Sequence, residues 1–330
     1  MQAPAFWWKK PGAAAALLSP FAAIYGAVAA RRLKQAGARA DIPVICAGNL
    51  TVGGAGKTPT AIMIARMLIA AGETPVFLTR GYGARLAGPV LAQSSHTAAQ
   101  IGDEPLLLAR VAPTVVARDR IAGARLAKDN GASIIVMDDG FQNPSLAKDL
   151  SILVVDGARG IGNARVIPAG PLRAPLDAQL ERAHAMLIVG AVAGAAPLVI
   201  AARARRLPLF HARLEPDPAT VAELASTKVL AFAGIGDPVK FFATVAAAGI
   251  EARIHRGFGD HHRYRADEAA ALLDEAERHN LTLLTTEKDL ARMQGDASVA
   301  KLAARARALP VYLTVTEDED FRRLVLGARR

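Results

Sequence analysis

The stretch Thr51-Val52-Gly53-Gly54-Ala55-Gly56-Lys57-Thr58 decides how the chain is read. It follows a short apolar run at 44–47 and leads into a helical pattern over 58–71, giving strand, glycine loop and helix in succession. Such a loop turns consecutive backbone N–H groups toward a phosphate, and the positive end of the following helix adds to the attraction. In this pattern Lys57 reaches the β and γ phosphates, and the Thr58 hydroxyl is a magnesium ligand. Residues 51–58 are therefore the candidate nucleotide loop, although the general pattern has glycine where Thr51 stands. One class of P-loop ATPase, used in partition and targeting, carries lysine immediately before the paired glycines. Val52 occupies that position here and argues against that class.

Outward from the loop, apolar runs at 75–78, 114–117, 133–137, 151–155 and 185–189 are continuous rather than alternating, as strands buried on both faces of a parallel sheet should be. Helical patterns separate several of them, for example over 119–130. Asp138 and Asp139 end one run, where a P-loop fold places acids facing magnesium, and Gln142 lies close behind in Asp-Asp-Gly-Phe-Gln. The predicted class is α/β: a P-loop NTPase-like parallel sheet over 41–201, a basic, proline-containing connector at 202–218, and a smaller α/β domain over 219–330. In that last part strands are expected at 229–233, 251–255, 282–285 and 311–315, with helices after Pro238 and over 267–279. Gly234 and Gly236 imitate a dinucleotide fingerprint, but its third glycine is replaced by Val239, which leaves a tight strand-to-helix turn.

The chain has 330 residues, 52% of them hydrophobic and 21% charged, with a net charge of +10 that points to anionic partners. The single cysteine, Cys46, excludes an internal disulfide framework and reads as a buried strand residue. Residues 1–40 read as a membrane-associated helix. Its uncharged run at 13–30 is just long enough to span, yet four alanines, Ser19-Pro20 and Gly26 weaken it, and Ala27-Val28-Ala29 imitates a signal-cleavage site. A helix lying in the membrane interface accounts for more. Phe6, Trp7 and Trp8 suit head-group depth, and Lys9, Lys10, Arg31, Arg32, Lys34 and Arg39, with no acid before Asp41, suit an anionic surface. Few aromatic residues and no helix-turn-helix or RNP pattern argue against nucleic-acid binding.

The P-loop with Asn49 and Pro59, Arg80-Gly81-Tyr82-Gly83, Gly102-Asp103-Glu104-Pro105, Asp138-Asp139-Gly140-Phe141-Gln142, Pro168-Ala169-Gly170-Pro171-Leu172-Arg173, Asp260-His261-His262-Arg263-Tyr264 and Thr286-Glu287-Lys288-Asp289 together resemble the tetraacyldisaccharide 4′-kinase family. The likeness spans nearly the whole chain. It implies phosphoryl transfer from ATP, with Mg2+, to the 4′-hydroxyl of a lipid-linked disaccharide 1-phosphate at the cytoplasmic face of the Gram-negative inner membrane, forming lipid IV-A, with no obligatory protein partner. It further implies that Asp103 is the general base with His261 as partner, that Lys57 binds phosphate, that Thr58, Asp138 and Asp139 serve magnesium, and that Glu104 and Gln142 lie near the metal. Read from the residues alone, Asp103 is equally a first-turn helix acid and His261 a loop residue. The family pattern continues Leu-Arg-Glu-Pro where this chain has Leu172-Arg173-Ala174-Pro175, so any contact of that glutamate is lost or moved to another acid. The rival reading is a peripheral-membrane P-loop ATPase acting on a protein or membrane partner.

Overall fold

The computed structural model describes residues 3–329. Its strands are β1 Val44–Gly48, β2 Pro75–Thr79, β3 Val90–Leu91, β4 Thr114–Val116, β5 Ile134–Asp138, β6 Leu150–Asp156, β7 Ala185–Val189, β8 Leu209–Pro216, β9 Lys228–Ala233, β10 Glu251–Gly257, β11 Thr282–Thr286, β12 Arg307–Leu309 and β13 Val311–Val315. They form a nine-stranded sheet in the order β13-β8-β7-β6-β1-β5-β2-β4-β3 and a four-stranded sheet in the order β10-β9-β11-β12. The large sheet is parallel except at its two edges, where β13 and β3 run antiparallel to their neighbours. The continuous apolar runs are explained by burial on both faces. Val44, Cys46, Ile135, Met137 and Leu153 pack into one core, while Ile45, Ala47, Ile134, Val136 and Ile152 pack into the other.

The helix Lys57–Ala70 covers the second face together with Asp318–Gly327, whose Phe321 and Val325 are fully buried there. β1 lies between β5 and β6, and the chain leaves it toward β2 on one side and returns as β6 on the other. The glycine loop thus sits where strand order reverses, at the carboxyl edge of the sheet, the usual ligand crevice of open α/β sheets.

Two expectations change. The stretch 202–218, expected as a connector, contains β8, which runs parallel to β7 through residues 209–212 and antiparallel to β13 through 212–216. The strand at 311–315, expected in the smaller sheet, crosses at Pro310 to form the far edge of the large one, and the Pro310 carbonyl accepts a hydrogen bond from Asp217 N. Arg203, Arg205 and Arg206, which disguised the stretch, precede β8, while Arg213 lies on its exposed outer half.

The N-terminal run forms the helix Ala13–Leu33, with Pro20 inside it and mean hydropathy 1.7 over its most apolar window. Its small residues Ala15, Ala22 and Gly26 face the protein, Gly26 against Val166 and Pro175, whereas Leu17, Phe21, Ile24 and Val28 are exposed. Spacings of three and four place these four on one face. Trp7 is used differently from the expectation. Trp7 is buried and its indole N–H donates to the Pro168 carbonyl (3.0 Å), while the Trp8 ring lies 5.2 Å from the Arg159 guanidinium.

Candidate active site

The glycine loop is held from beneath and open above. Val52 N donates to Pro171 O and Arg173 N to Leu50 O, both at 2.9 Å, so residues 171–173 strap the loop to the core. Asn49 Nδ2 donates to Gly53 O at 3.2 Å. Gly53 and Gly54 have no neighbouring atom where a Cβ would stand, and Gly56, at φ +92°, takes the left-handed turn that starts the helix. Lys57 Nζ lies 3.5 Å from Gly53 O and 3.7 Å from Asp139 Oδ2. Burial draws its ammonium below the ordinary lysine range, with Asp139 opposing that shift.

Asp138 and Asp139 have separate surroundings. The Thr58 hydroxyl donates to Asp138 Oδ2 at 2.9 Å, while Asp138 Oδ1 is buried with no protein partner. Burial, reinforced by the charge of Glu104, pushes the Asp138 carboxyl up to about 7. An orphaned, buried carboxylate oxygen beside a threonine hydroxyl is a donor set that suits a small hard cation. Asp139, at φ +55°, instead takes a two-pronged contact from Arg173, at 2.7 and 3.2 Å. The charges of Lys57 and Arg173 hold its carboxyl below the usual range against the effect of burial.

Two other residues expected near the metal are engaged with protein partners. Glu104 pairs with Lys288 at 2.8 Å, which lowers the Glu104 carboxyl and, against burial, raises the Lys288 ammonium. Gln142 Nε2 donates to Asn49 O (2.7 Å) and to Gln179 Oε1 (2.9 Å). Gln179 is fully buried and its amide N–H reaches the Ala174 carbonyl at 2.7 Å. Ala174, where the family pattern led glutamate to be expected, is buried, and its carbonyl is held by this amide network.

The second sheet completes the crevice. Asp103, at the start of the helix Asp103–Leu108, is 5% exposed, and its Oδ2 meets His261 Nδ1 at 3.1 Å and Arg292 Nη2 at 2.6 Å. Arg292 also donates to Asp289 Oδ1 (2.7 Å), Gly234 O (3.1 Å) and His262 O (3.2 Å). Asp289, itself fully buried, accepts from the Tyr264 hydroxyl and from Gly234 N, each at 3.0 Å. Burial alone would raise the Asp103 carboxyl, but the His261 bond and the charges of Arg292 and Lys288 hold it well below the carboxylate range. The Asp103 bond in turn raises the His261 imidazole above its ordinary value, with burial opposing.

Asp103 and His261, expected to meet from different halves of the chain, thus do so. Arg173, Arg292 and Lys288 were missed as contributors. Arg173 and Lys288 stand inside quoted motifs, while Arg292 follows Asp289 by one helical turn, a spacing that could have suggested their ion pair. Of the arginines near the strand ends, Arg120 is buried with its Nε unpartnered and Nη1 donating to Ala117 O (2.7 Å), and burial lowers its guanidinium.

The family model for tetraacyldisaccharide-1-P 4′-kinases matches residues 14–329. The chain belongs to the tetraacyldisaccharide 4′-kinase family. The kinase is 53% identical over 334 residues to the tetraacyldisaccharide 4′-kinase of Rhodopseudomonas palustris strain BisA53, covering 100% of this chain and 97% of that protein. It is 54% identical over 312 residues to that of Methylobacterium sp. strain 4-46, covering 94% of each. Among solved structures, it resembles the "apo" form of LpxK from Aquifex aeolicus in complex with ATP. The TM-score is 0.73 and the identity 25%, over 96% of this chain and 99% of that one.

Proposed function

We propose that this kinase transfers the γ-phosphate of ATP to the 4′-hydroxyl of a tetraacyldisaccharide 1-phosphate, with Asp103 addressing the hydroxyl and Lys57 the phosphate. What supports the reading is the Thr58–Asp138 pair at the loop together with the Asp103–His261 pair brought by the second sheet, with Glu104, next to Asp103, near enough for its charge to bear on Lys57 and Asp138.

Phosphoryl transfer passes through a loose transition state, so placement and charge neutralisation matter more than strong general-base power. The loop amides and Lys57 bind and orient the phosphates. Thr58 and Asp138 would hold Mg2+, which would neutralise charge on the phosphates when bound. Asp139, clamped by Arg173, keeps Lys57 at the loop. Asp103 is a weak base because Arg292 and His261 keep it ionised. That suits a carboxylate whose main task is to orient the hydroxyl and accept its proton late. His261, bonded to the same oxygen as Arg292, fixes how the carboxylate faces.

The exposed apolar face of Ala13–Leu33, beside Lys9, Lys10, Arg31 and Arg32, supports seating the enzyme on an anionic leaflet, at the cytoplasmic face of the inner membrane where a lipid acceptor is met. The function is tested by incubating the purified enzyme with ATP, magnesium and the detergent-dispersed acceptor, then locating the new phosphate by mass spectrometry and phosphorus–proton correlation NMR. Phosphate on the 4′ oxygen supports the reading; ATP consumption with unchanged lipid refutes it.

A further inference from the structure

The helix Glu287–Met293, which follows β11 of the second sheet, carries two cations that face the first, and the chemistry described so far uses only one of them. Lys288 and Arg292 stand four positions apart and so share a helix face. That face meets the two consecutive acids at the start of Asp103–Leu108: Arg292 Nη2 reaches Asp103 at 2.6 Å, and Lys288 Nζ reaches Glu104 at 2.8 Å. The two cations are held differently. The Arg292 side chain is 6% exposed and tied to Asp289 and two carbonyls as well. The Lys288 side chain is 30% exposed, and Glu104 is its one hydrogen-bond partner among the described residues. An ammonium carries three donors on a flexible stem, so two of them are left for a ligand.

The place of that ammonium suits the transferring group. At Asp103 and Asp138 alike, burial acts to raise the carboxyl and the charge of Lys288 acts against it, so Lys288 lies within electrostatic reach of both the acid that addresses the acceptor and the acid behind the nucleotide loop. A phosphoryl group passing from the loop to an alcohol on Asp103 travels between those two acids, and Glu104 left without its cation would repel it. We propose that Lys288 is a catalytic residue whose ammonium, brought by the second sheet, donates to an oxygen of the transferring phosphoryl group. As the bond from the acceptor oxygen to phosphorus forms, the bond from phosphorus to the β–γ bridging oxygen breaks and its electron pair leaves with ADP. The acceptor proton passes to Asp103, and Lys288 keeps its own. A fixed cation aimed at the equatorial oxygens stabilises the charge spread over them in a loose transition state. The proposal rests on the phosphoryl-transfer reading of the site.

The test is steady-state transfer to the tetraacyldisaccharide 1-phosphate by the full-length enzyme in detergent, with Lys288→Met, Lys288→Arg, Glu104→Gln and the double variant Lys288→Met/Glu104→Gln, alongside Asp103→Ala. Lys288→Met should lower kcat on the order of 10²–10³-fold while KM for ATP and for the acceptor stays within about threefold of the parent. Lys288→Arg, which keeps the charge, should recover at least about tenfold of that loss. Removing Lys288 alone also leaves Glu104 unpaired, and the double variant separates the two effects. A lysine that served only to neutralise Glu104 would cost nothing to remove once that residue is glutamine, whereas a donor to the phosphoryl group should still cost at least about tenfold in kcat relative to Glu104→Gln. A loss that vanishes in the double variant, a change confined to KM, or a Lys288→Met enzyme as fast as the parent overturns the proposal. If Asp103→Ala leaves transfer intact, it is the underlying reading of the site that fails, whatever Lys288 does.

Discussion

Asp103 and His261 stand 158 positions apart in the chain and meet at 3.1 Å, one on the first sheet's helix and the other on a loop of the second. Their contact ties the second sheet to the first, and most of what can be tested follows from how that contact is held.

Arg292 is the central tie. It is 6% exposed and bridges Asp103, 5% exposed, to Asp289, fully buried. Replacing it with methionine leaves two buried carboxylates without their cation. The expected cost is about 3–5 kcal/mol of unfolding free energy, read by urea denaturation, together with loss of transfer activity. Arg292→Lys should recover part of the stability but less of the activity, because lysine lacks the fork that reaches both carboxylates.

The same contact predicts a pH dependence. His261 is raised above the ordinary histidine value of about 6.5 in the folded protein, chiefly by its bond to Asp103. A raised folded value means that the stabilisation is fully present below the unfolded value and is lost as pH rises through the folded one. Stability measured across that window should fall for the parent, and the His261→Gln variant should show a flatter profile. An unchanged slope in the variant contradicts the assignment.

Thr58 and Asp138 should act together. Thr58→Val removes the hydroxyl that donates to Asp138 at 2.9 Å. Transfer should drop on the order of 10–100-fold, and the magnesium concentration for half-maximal rate should rise. Thr58→Ser, which keeps the oxygen, should remain close to the parent in both. The check is a magnesium titration at saturating ATP.

On the N-terminal helix, Phe21 and Ile24 are 63% and 68% exposed. Changing both to glutamate should weaken vesicle flotation at least about tenfold, given the roughly 1.5–3 kcal/mol that burying one such side chain contributes. Folding of the rest should be unaffected, since neither side chain enters the core.

Much of the fold was legible because its signals are local. Strands such as β5 and β6 are continuous apolar runs, and Gly56-Lys57-Thr58 after a buried strand announces both loop and helix. β8 was hidden because its outer half is exposed and charged, so that an edge partner rather than a core fixes it. The site was legible in parts. Loop and acid pair could be read from spacing, but Asp103 and His261 carried no local pattern and came only from the family likeness. Arg292 and Lys288 were invisible as site residues because their partners, Asp103 and Glu104, lie 189 and 184 positions away, and only the docking of the second sheet brings them together. Ala174 shows the converse: its carbonyl is held by the buried Gln179, itself bonded to Gln142, and Gln179 belongs to no quoted motif.

The most direct measurement is transfer of labelled γ-phosphate from magnesium-ATP to a detergent-dispersed tetraacyldisaccharide 1-phosphate, comparing the parent with Asp103→Ala. The account predicts lipid-dependent transfer that falls on the order of 10²–10⁴-fold in the variant. Parent ATP hydrolysis indifferent to the lipid, or a variant as active as the parent, would contradict it.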